Sequence, residues 1–112
     1  METLLEKTIM TPQVIWSENS LLLKGNLIIC DNPSFWKEIS NKLLENSKTK
    51  HVEFDLEYVN TDSLRILLRL LIKTNGIKYK WYYQDFDEDM LEMGKSIEEI
   101  TKSHFEFIKK ES

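Results

Sequence analysis

A single cysteine, two prolines and three glycines in 112 residues remove several classes of protein at once. Cys30 has no partner in the chain, so no intrachain disulfide can form. It lies in the apolar run Leu27-Ile28-Ile29-Cys30 and is expected to pack as a small hydrophobe. So little glycine and proline excludes collagen-like and low-complexity chains. No Gly/Ser/Pro-rich linker and no internal repeat divides the sequence. No apolar run approaches the ~20 residues of a membrane span, and no signal-peptide pattern opens the chain; a cytoplasmic protein is expected. An excess of positive charge is missing too. The net charge of −4 argues against a general nucleic-acid binder, which needs a basic surface to displace counterions. The P-loop, the GxGxxG turn and the nucleophile elbow are all absent. His51 and His104 are far apart in sequence and have no Cys or His partner at metal-ligand spacing. What these absences leave is a chain of one domain's length (residues 1–112), 41% hydrophobic and large enough for a core.

The sequence is organised around residues 60–76. Asn60, Thr61 and Asp62 are all N-cap types, able to accept hydrogen bonds from the free N–H groups of a helix start. Asn75-Gly76 reads as the stop, because both residues tolerate the left-handed conformation. Between them Leu64, Leu67, Leu68, Leu71 and Ile72 form the expected core stripe of a helical wheel. Ile66 and Leu70 widen the apolar arc on one side. Arg65, Arg69 and Lys73, spaced by four, make a narrow charged edge.

The rest of the chain supplies strands and two more helices. Residues 1–8 read as frayed or weakly attached. Met10–Trp16 and Leu21–Cys30 read as two strands of a hairpin, with Gly25-Asn26 marking an interruption or a bulge. Asp31-Asn32-Pro33 opens a helix to about Ser47, with a cap residue followed by proline at the first helical position. Val52, Phe54, Leu56 and Tyr58 alternate with His51, Glu53, Asp55 and Glu57. Ile77, Tyr79, Trp81 and Tyr83 alternate in the same way with Lys78, Lys80 and Tyr82. Strands covered on both faces would be apolar on both, so the helices are expected on one side of the sheet only. Opposite charges at Glu53, Asp55 and Glu57 and at Lys78 and Lys80 would then meet across the open side. A third helix follows from about Asp87 to Lys102, with Gly94 weakening its middle, and Phe105–Ile108 forms a last edge strand. The expected fold is α/β: a mixed β-sheet of about five strands with helices packed on one face.

Three candidate sites follow. Thr61 and Ser63 put hydroxyls at the start of the central helix, where two readings stay open. One is simple capping. The other is a phosphorylation switch, since a phosphate there meets unpaired N–H groups and the positive end of the helix dipole. The acidic turn Asp85, Asp87, Glu88, Asp89 and Glu92 reads as capping, as a protein-contact surface or as a hard-metal site, although its spacing does not fit an EF-hand loop. In Trp81-Tyr82-Tyr83, alternation places Trp81 and Tyr83 in the core and leaves Tyr82 on the open face.

Phe54-Asp55-Leu56-Glu57-Tyr58-Val59-Asn60-Thr61-Asp62-Ser63, followed by Trp81-Tyr82-Tyr83 and Asp87-Glu88-Asp89-Met90, resembles the SiaC family of bacterial regulatory phosphoproteins. Thr11-Pro12-x-Val14 and Asn32-Pro33-x-Phe35 fit the same pattern, so the resemblance covers about residues 10–108. It implies a fold akin to STAS domains and anti-sigma-factor antagonists. It also implies reversible phosphorylation of the Thr in the Asn-Thr-x-Ser motif, here Thr61, by a partner-switching kinase and phosphatase. The unphosphorylated family member binds and stimulates a diguanylate cyclase, which gives cyclic-di-GMP signalling and biofilm control as the expected output. Asp62 departs from the pattern, since many relatives carry a second Ser there.

The combined expectation is a non-enzymatic adaptor without a cofactor or metal. Thr61 is its phosphorylation site, and Asn60, Asp62, Ser63, Arg65, Ile66 and Leu70 form its partner-binding set. The runner-up readings are a small metal-dependent enzyme using residues 85–92, and a structural homodimer built on the open sheet face around Tyr82.

Overall fold

The computed structural model describes residues 2–28, 32–45, 48–74 and 76–110. Cys30 and Asn75, expected as a core residue and a helix stop, lie outside the described residues, as does Asp31. Six strands and three helices follow one another as β1 (Glu2–Leu5), β2 (Gln13–Ser17), β3 (Ser20–Leu27), α1 (Pro33–Ser40), β4 (His51–Val59), α2 (Thr61–Ile72), β5 (Lys78–Gln84), α3 (Glu88–Thr101) and β6 (Phe105–Lys110). A π-helical turn, Asn41–Glu45, extends α1.

The strands form one sheet in the order of the chain, β1-β2-β3-β4-β5-β6. β1, β2 and β3 are antiparallel, and β3 to β6 are parallel. Three successive crossovers step in one direction across the sheet. With the usual right hand each helix falls on the same side, and the burial agrees: Leu21, Leu23, Val52, Phe54, Tyr79, Trp81 and Phe105 face the helices and are buried. The α/β class and the one-sided helix layer are as expected, with six strands rather than about five. The extra strand is β1. Residues 2–5, read as weakly attached, pair with β2 through Glu2↔Trp16 and Thr3↔Ile15.

Aromatic rings fill the centre. Phe54 and Trp81 lie 5.5 Å apart and Tyr79 and Phe105 5.0 Å apart, the second pair stacked. Trp81 is fully buried and donates its Nε1–H to the Met90 carbonyl at 2.9 Å, which pins α3 to the sheet. Gly94 completes that contact. A Cβ there would lie 2.6 Å from Trp81 Cδ1, so the glycine is required by close packing.

A bulge shapes the end of β4. Gly25 pairs with Leu56 but Asn26 pairs with Tyr58, which leaves Glu57 as the extra residue. Gly25 has φ +129°, a conformation suited to glycine, at the place where the sequence suggests a bulge. The side-chain alternation shifts by one residue beyond it. Tyr58, expected in the core with Leu56, is therefore 55% exposed, and Val59 takes the buried position. No helix among the described residues is long and apolar enough to cross a membrane.

Candidate functional site

The head of α2 stands at the carboxyl end of the parallel strands, directly after β4. Asn60 is its N-cap. The Oδ1 atom of Asn60 accepts from the Ser63 N–H at 3.0 Å, and its carbonyl accepts from the Leu64 N–H at 3.0 Å. The same residue ties the helix to the end of β3. Its backbone N–H donates to the Leu27 carbonyl at 3.1 Å, and its Nδ2 donates to the Ile28 carbonyl at 3.3 Å. Asn60 thus fixes where the first helical turn sits.

Thr61 occupies the first helical position and is exposed. With Asn60 engaged by Ser63 and Leu64, the N–H groups of Thr61 and Asp62 are the ones left for an outside acceptor at this helix start. Asp62 forms an exposed ion pair with Arg65, 4.0 Å apart. An ion pair this open to water adds little stability; Arg65 lies one helical turn on from Thr61.

Two expectations about this helix need correction. Ser63, placed in the partner-facing set, is 0% exposed. It stacks with Leu67 and Leu71 at intervals of four, and these three, not the leucine stripe alone, are the buried line of α2. A small side chain lets the first turn approach the sheet closely. Ile72, expected in the core stripe, is 57% exposed because it stands off the Ser63–Leu67–Leu71 line. Leu70 is half-buried and packs against the core with Leu64 and Leu68, so it offers only one edge outward. Ile66 is half-buried and stands outside that cluster.

Sequence reasoning missed the exposed apolar side chains at this end of the sheet. Tyr58 is exposed by the bulge, and Phe86, in the turn after β5, is 80% exposed. Ile9 and Met10, 84% and 50% exposed, reach the same end of the sheet, because the Met10 carbonyl accepts from the Ile28 N–H at 2.9 Å. Four large apolar side chains are thus left in water at this end of the sheet. Phe86 also overhangs a concavity of roughly 270 Å³ between the ends of β4 and β5, shared with Glu57, Tyr83 and Gln84.

The acidic turn serves the fold. Asp87 caps α3 by accepting from the Met90 N–H at 3.0 Å, Asp85 pairs with Lys109 at 3.5 Å, and Glu88 and Asp89 lie in the first helical turn, where the dipole favours them. Among the described residues no three His, Cys, Asp or Glu side chains gather to hold a metal ion. Of the aromatic triplet, Trp81 is core, Tyr83 packs against the core and Tyr82 lies on the open face, as the alternation predicts. The Tyr82 hydroxyl donates to Glu53 Oε1 at 2.6 Å. That bond, together with partial burial and the charges of Glu53, Asp55 and Glu106, pushes its pKa up to about 12. Burial likewise raises Tyr79, whose hydroxyl is bonded to Thr74. The expected charge pairing on the open face is realised differently. Glu53 lies beside Lys80 in register, whereas Asp55 pairs with Lys110 at 2.7 Å, and Glu57 falls beyond the β4–β5 pairing.

The SiaC family model, described as a SiaC family regulatory phosphoprotein, matches residues 5–110. A comparison with curated proteins finds no match. Among solved structures, a chain of the diguanylate cyclase SiaD in complex with its activator SiaC from Pseudomonas aeruginosa superimposes with a TM-score of 0.75 at 17% identity. That match covers 93% of this chain and 96% of the other. Apo-SiaC from the same organism gives a TM-score of 0.68 at 18% identity, over 99% of this chain and 100% of that one. A further structure of SiaC gives 0.70 at 17% identity, over 96% and 97%. These likenesses show a shared fold. The match across nearly the whole sequence shows the family: this chain belongs to the SiaC family of regulatory phosphoproteins.

Proposed function

We propose that this protein is a non-enzymatic switch whose phosphorylation at Thr61 controls docking of a diguanylate cyclase at the head of α2. The observation that carries the reading is the exposed Thr61 hydroxyl at the first helical position, at the end of the sheet where Tyr58, Phe86, Ile9 and Met10 are exposed too. A phosphate there gains from the free N–H groups, the helix dipole and Arg65. It also adds nearly two negative charges to a surface that must shed water to bind, so it favours release. The cyclase assignment is by likeness to SiaC, the activator of SiaD, and the expected output is cyclic-di-GMP and biofilm control.

A kinase and a phosphatase that recognise the Asn60–Asp62 corner would set the state of Thr61, in the cytoplasm, with the whole chain acting as one unit. Asn60 holds the corner in place, Asp62 and Arg65 form its charged rim, and Ile66 with the outer edge of Leu70 extends the contact down the helix. Ser63, being buried, supports the site from beneath. A homodimer on the open face has less support, since Tyr82 and Asp55 there are bonded within the chain. The acidic turn likewise gives a metal-dependent enzyme little support, with Asp85 and Asp87 engaged elsewhere.

The test compares Thr61→Glu and Thr61→Ala with the unmodified chain for binding to the cyclase that co-purifies from the native cells. Thr61→Glu is expected to weaken binding by about tenfold or more, the scale of one buried unpaired charge, with thermal unfolding unchanged. Thr61→Ala is expected to bind as tightly as the unmodified chain and to carry no phosphate when isolated from those cells. Tight binding by Thr61→Glu, or phosphate found elsewhere on Thr61→Ala, overturns the reading.

A further inference from the structure

The two histidines of the sequence, 53 positions apart by number, line one concavity on the open face of the sheet, on either side of β5. His51 begins β4 and pairs in register with Lys78 of β5. His104 directly precedes β6, whose Phe105 pairs with Tyr79 and whose Glu106 pairs with Lys80. His51, Lys78, Lys80, His104 and Glu106 together line a concavity of roughly 520 Å³. Two lysines and two histidines thus share the hollow with Glu106, in a protein of net charge −4.

Among the described residues neither Lys78 nor Lys80 has a carboxylate within ion-pair distance, although Glu53 and Glu106 flank Lys80 in register. Glu53 is instead engaged by the Tyr82 hydroxyl. The cations are left directed at solvent and at whatever enters the hollow. This place is distinct from the Thr61 surface. It lies at the amino end of the strands, and the nine residues of β4 separate the two by about 26 Å.

From this convergence we infer a second site, which binds the phosphate ester of a small hydroxylated molecule, a sugar phosphate or a nucleotide. The volume falls within the range of small-molecule sites and exceeds what a bare ion fills. Donor chemistry selects phosphate over carboxylate. Both arginines of the chain, Arg65 and Arg69, are on α2, so the hollow has no planar fork to grip a carboxylate with two bonds. Ammonium and imidazole groups act as point donors, which suit the several oxygens of a phosphate. Glu106 accepts from a hydroxyl on the rest of the ligand. The rings of Tyr79 and Phe105 are turned into the core, so the site recognises charge and hydroxyl groups without stacking a base.

The test is calorimetric titration of the full chain with ribose 5-phosphate and with adenosine 5′-monophosphate, with citrate as the carboxylate control. Amide NMR on the unmodified protein maps where each probe binds. Binding of at least one phosphate probe is expected, with shifts centred on residues 51, 78–80 and 104–106. K78A/K80A is expected to weaken that binding by about tenfold or more, the scale of a lost charged hydrogen bond. The control K37A/K95A removes the same charge from the helix side and is expected to leave it unchanged. If K78A/K80A does not fold, the NMR map decides alone. No binding of either phosphate, shifts centred elsewhere, equal loss in both double variants, or citrate binding as tightly would each overturn the inference. The Thr61 proposal is unaffected by any of these results, because the two sites share no residue.

Discussion

The Tyr82 phenol sits on the open face against Glu53, with Asp55 and Glu106 near enough to oppose any further negative charge, and its pKa rises to about 12. In the unfolded chain a tyrosine ionises near its ordinary value of about 10. The folded state therefore holds this proton more tightly. The resulting stability is complete below pH 10 and is lost as the pH climbs from 10 to about 12. An ultraviolet titration of the folded protein should show, besides Tyr79, which burial also raises, Tyr82 ionising later than an ordinary tyrosine. Glu53→Ala should bring that residue back toward the usual range. The residue scale is also where the sequence was hardest to read. Tyr58 alternates correctly with Leu56 in the letters, yet one bulged residue turns it outward, and alternation carries no mark of a bulge in its own strand. Ser63 looks like a surface hydroxyl by residue type, although the wheel sets it in line with Leu67 and Leu71. Its burial follows from how closely the helix start approaches the sheet, which Asn60 sets through contacts with Leu27 and Ile28, more than thirty residues earlier.

At the level of elements, helix starts were legible and helix contacts were not. Asn32, Asn60 and Asp87 each cap the helix that local sequence assigns to them, because capping is settled within three or four residues. Gly94 shows the limit. Read locally, it weakens α3, and replacing it by alanine should help the helix by up to ~1 kcal/mol. In the fold the new methyl would lie 2.6 to 2.8 Å from three atoms of the Trp81 ring. That ring is fully buried and hydrogen-bonded to Met90, so it has nowhere to retreat. The overpacking cost of ~1–3 kcal/mol should outweigh the propensity gain. Gly94→Ala is therefore expected to lower the denaturation midpoint in urea and to alter tryptophan fluorescence. A more stable variant would mean that α3 does not lie against Trp81.

On the scale of the whole molecule, the one-sided sheet follows from strand patterns that are apolar on a single face, and this much was plain from the letters. The sixth strand was not, since Glu2–Leu5 is short and half of it is exposed. Its role emerges from what it covers. β1 pairs with Val14, Ile15 and Trp16, an apolar segment that would otherwise form the edge of the sheet. Uncovered apolar edges recruit other chains. A chain starting at Lys7 should keep its helices but self-associate, which light scattering would register as a rise in mass; a monomer would show that β1 does not protect this edge.

Strand order that copies chain order has one more implication, concerning how such a molecule is made. Synthesis proceeds from the amino end. Each strand after β1, as it emerges, finds one neighbour already laid down and its other flank vacant, and none must later be threaded between two that are joined. The sheet can grow like a row of knitting, one stitch always open, until β6 casts it off.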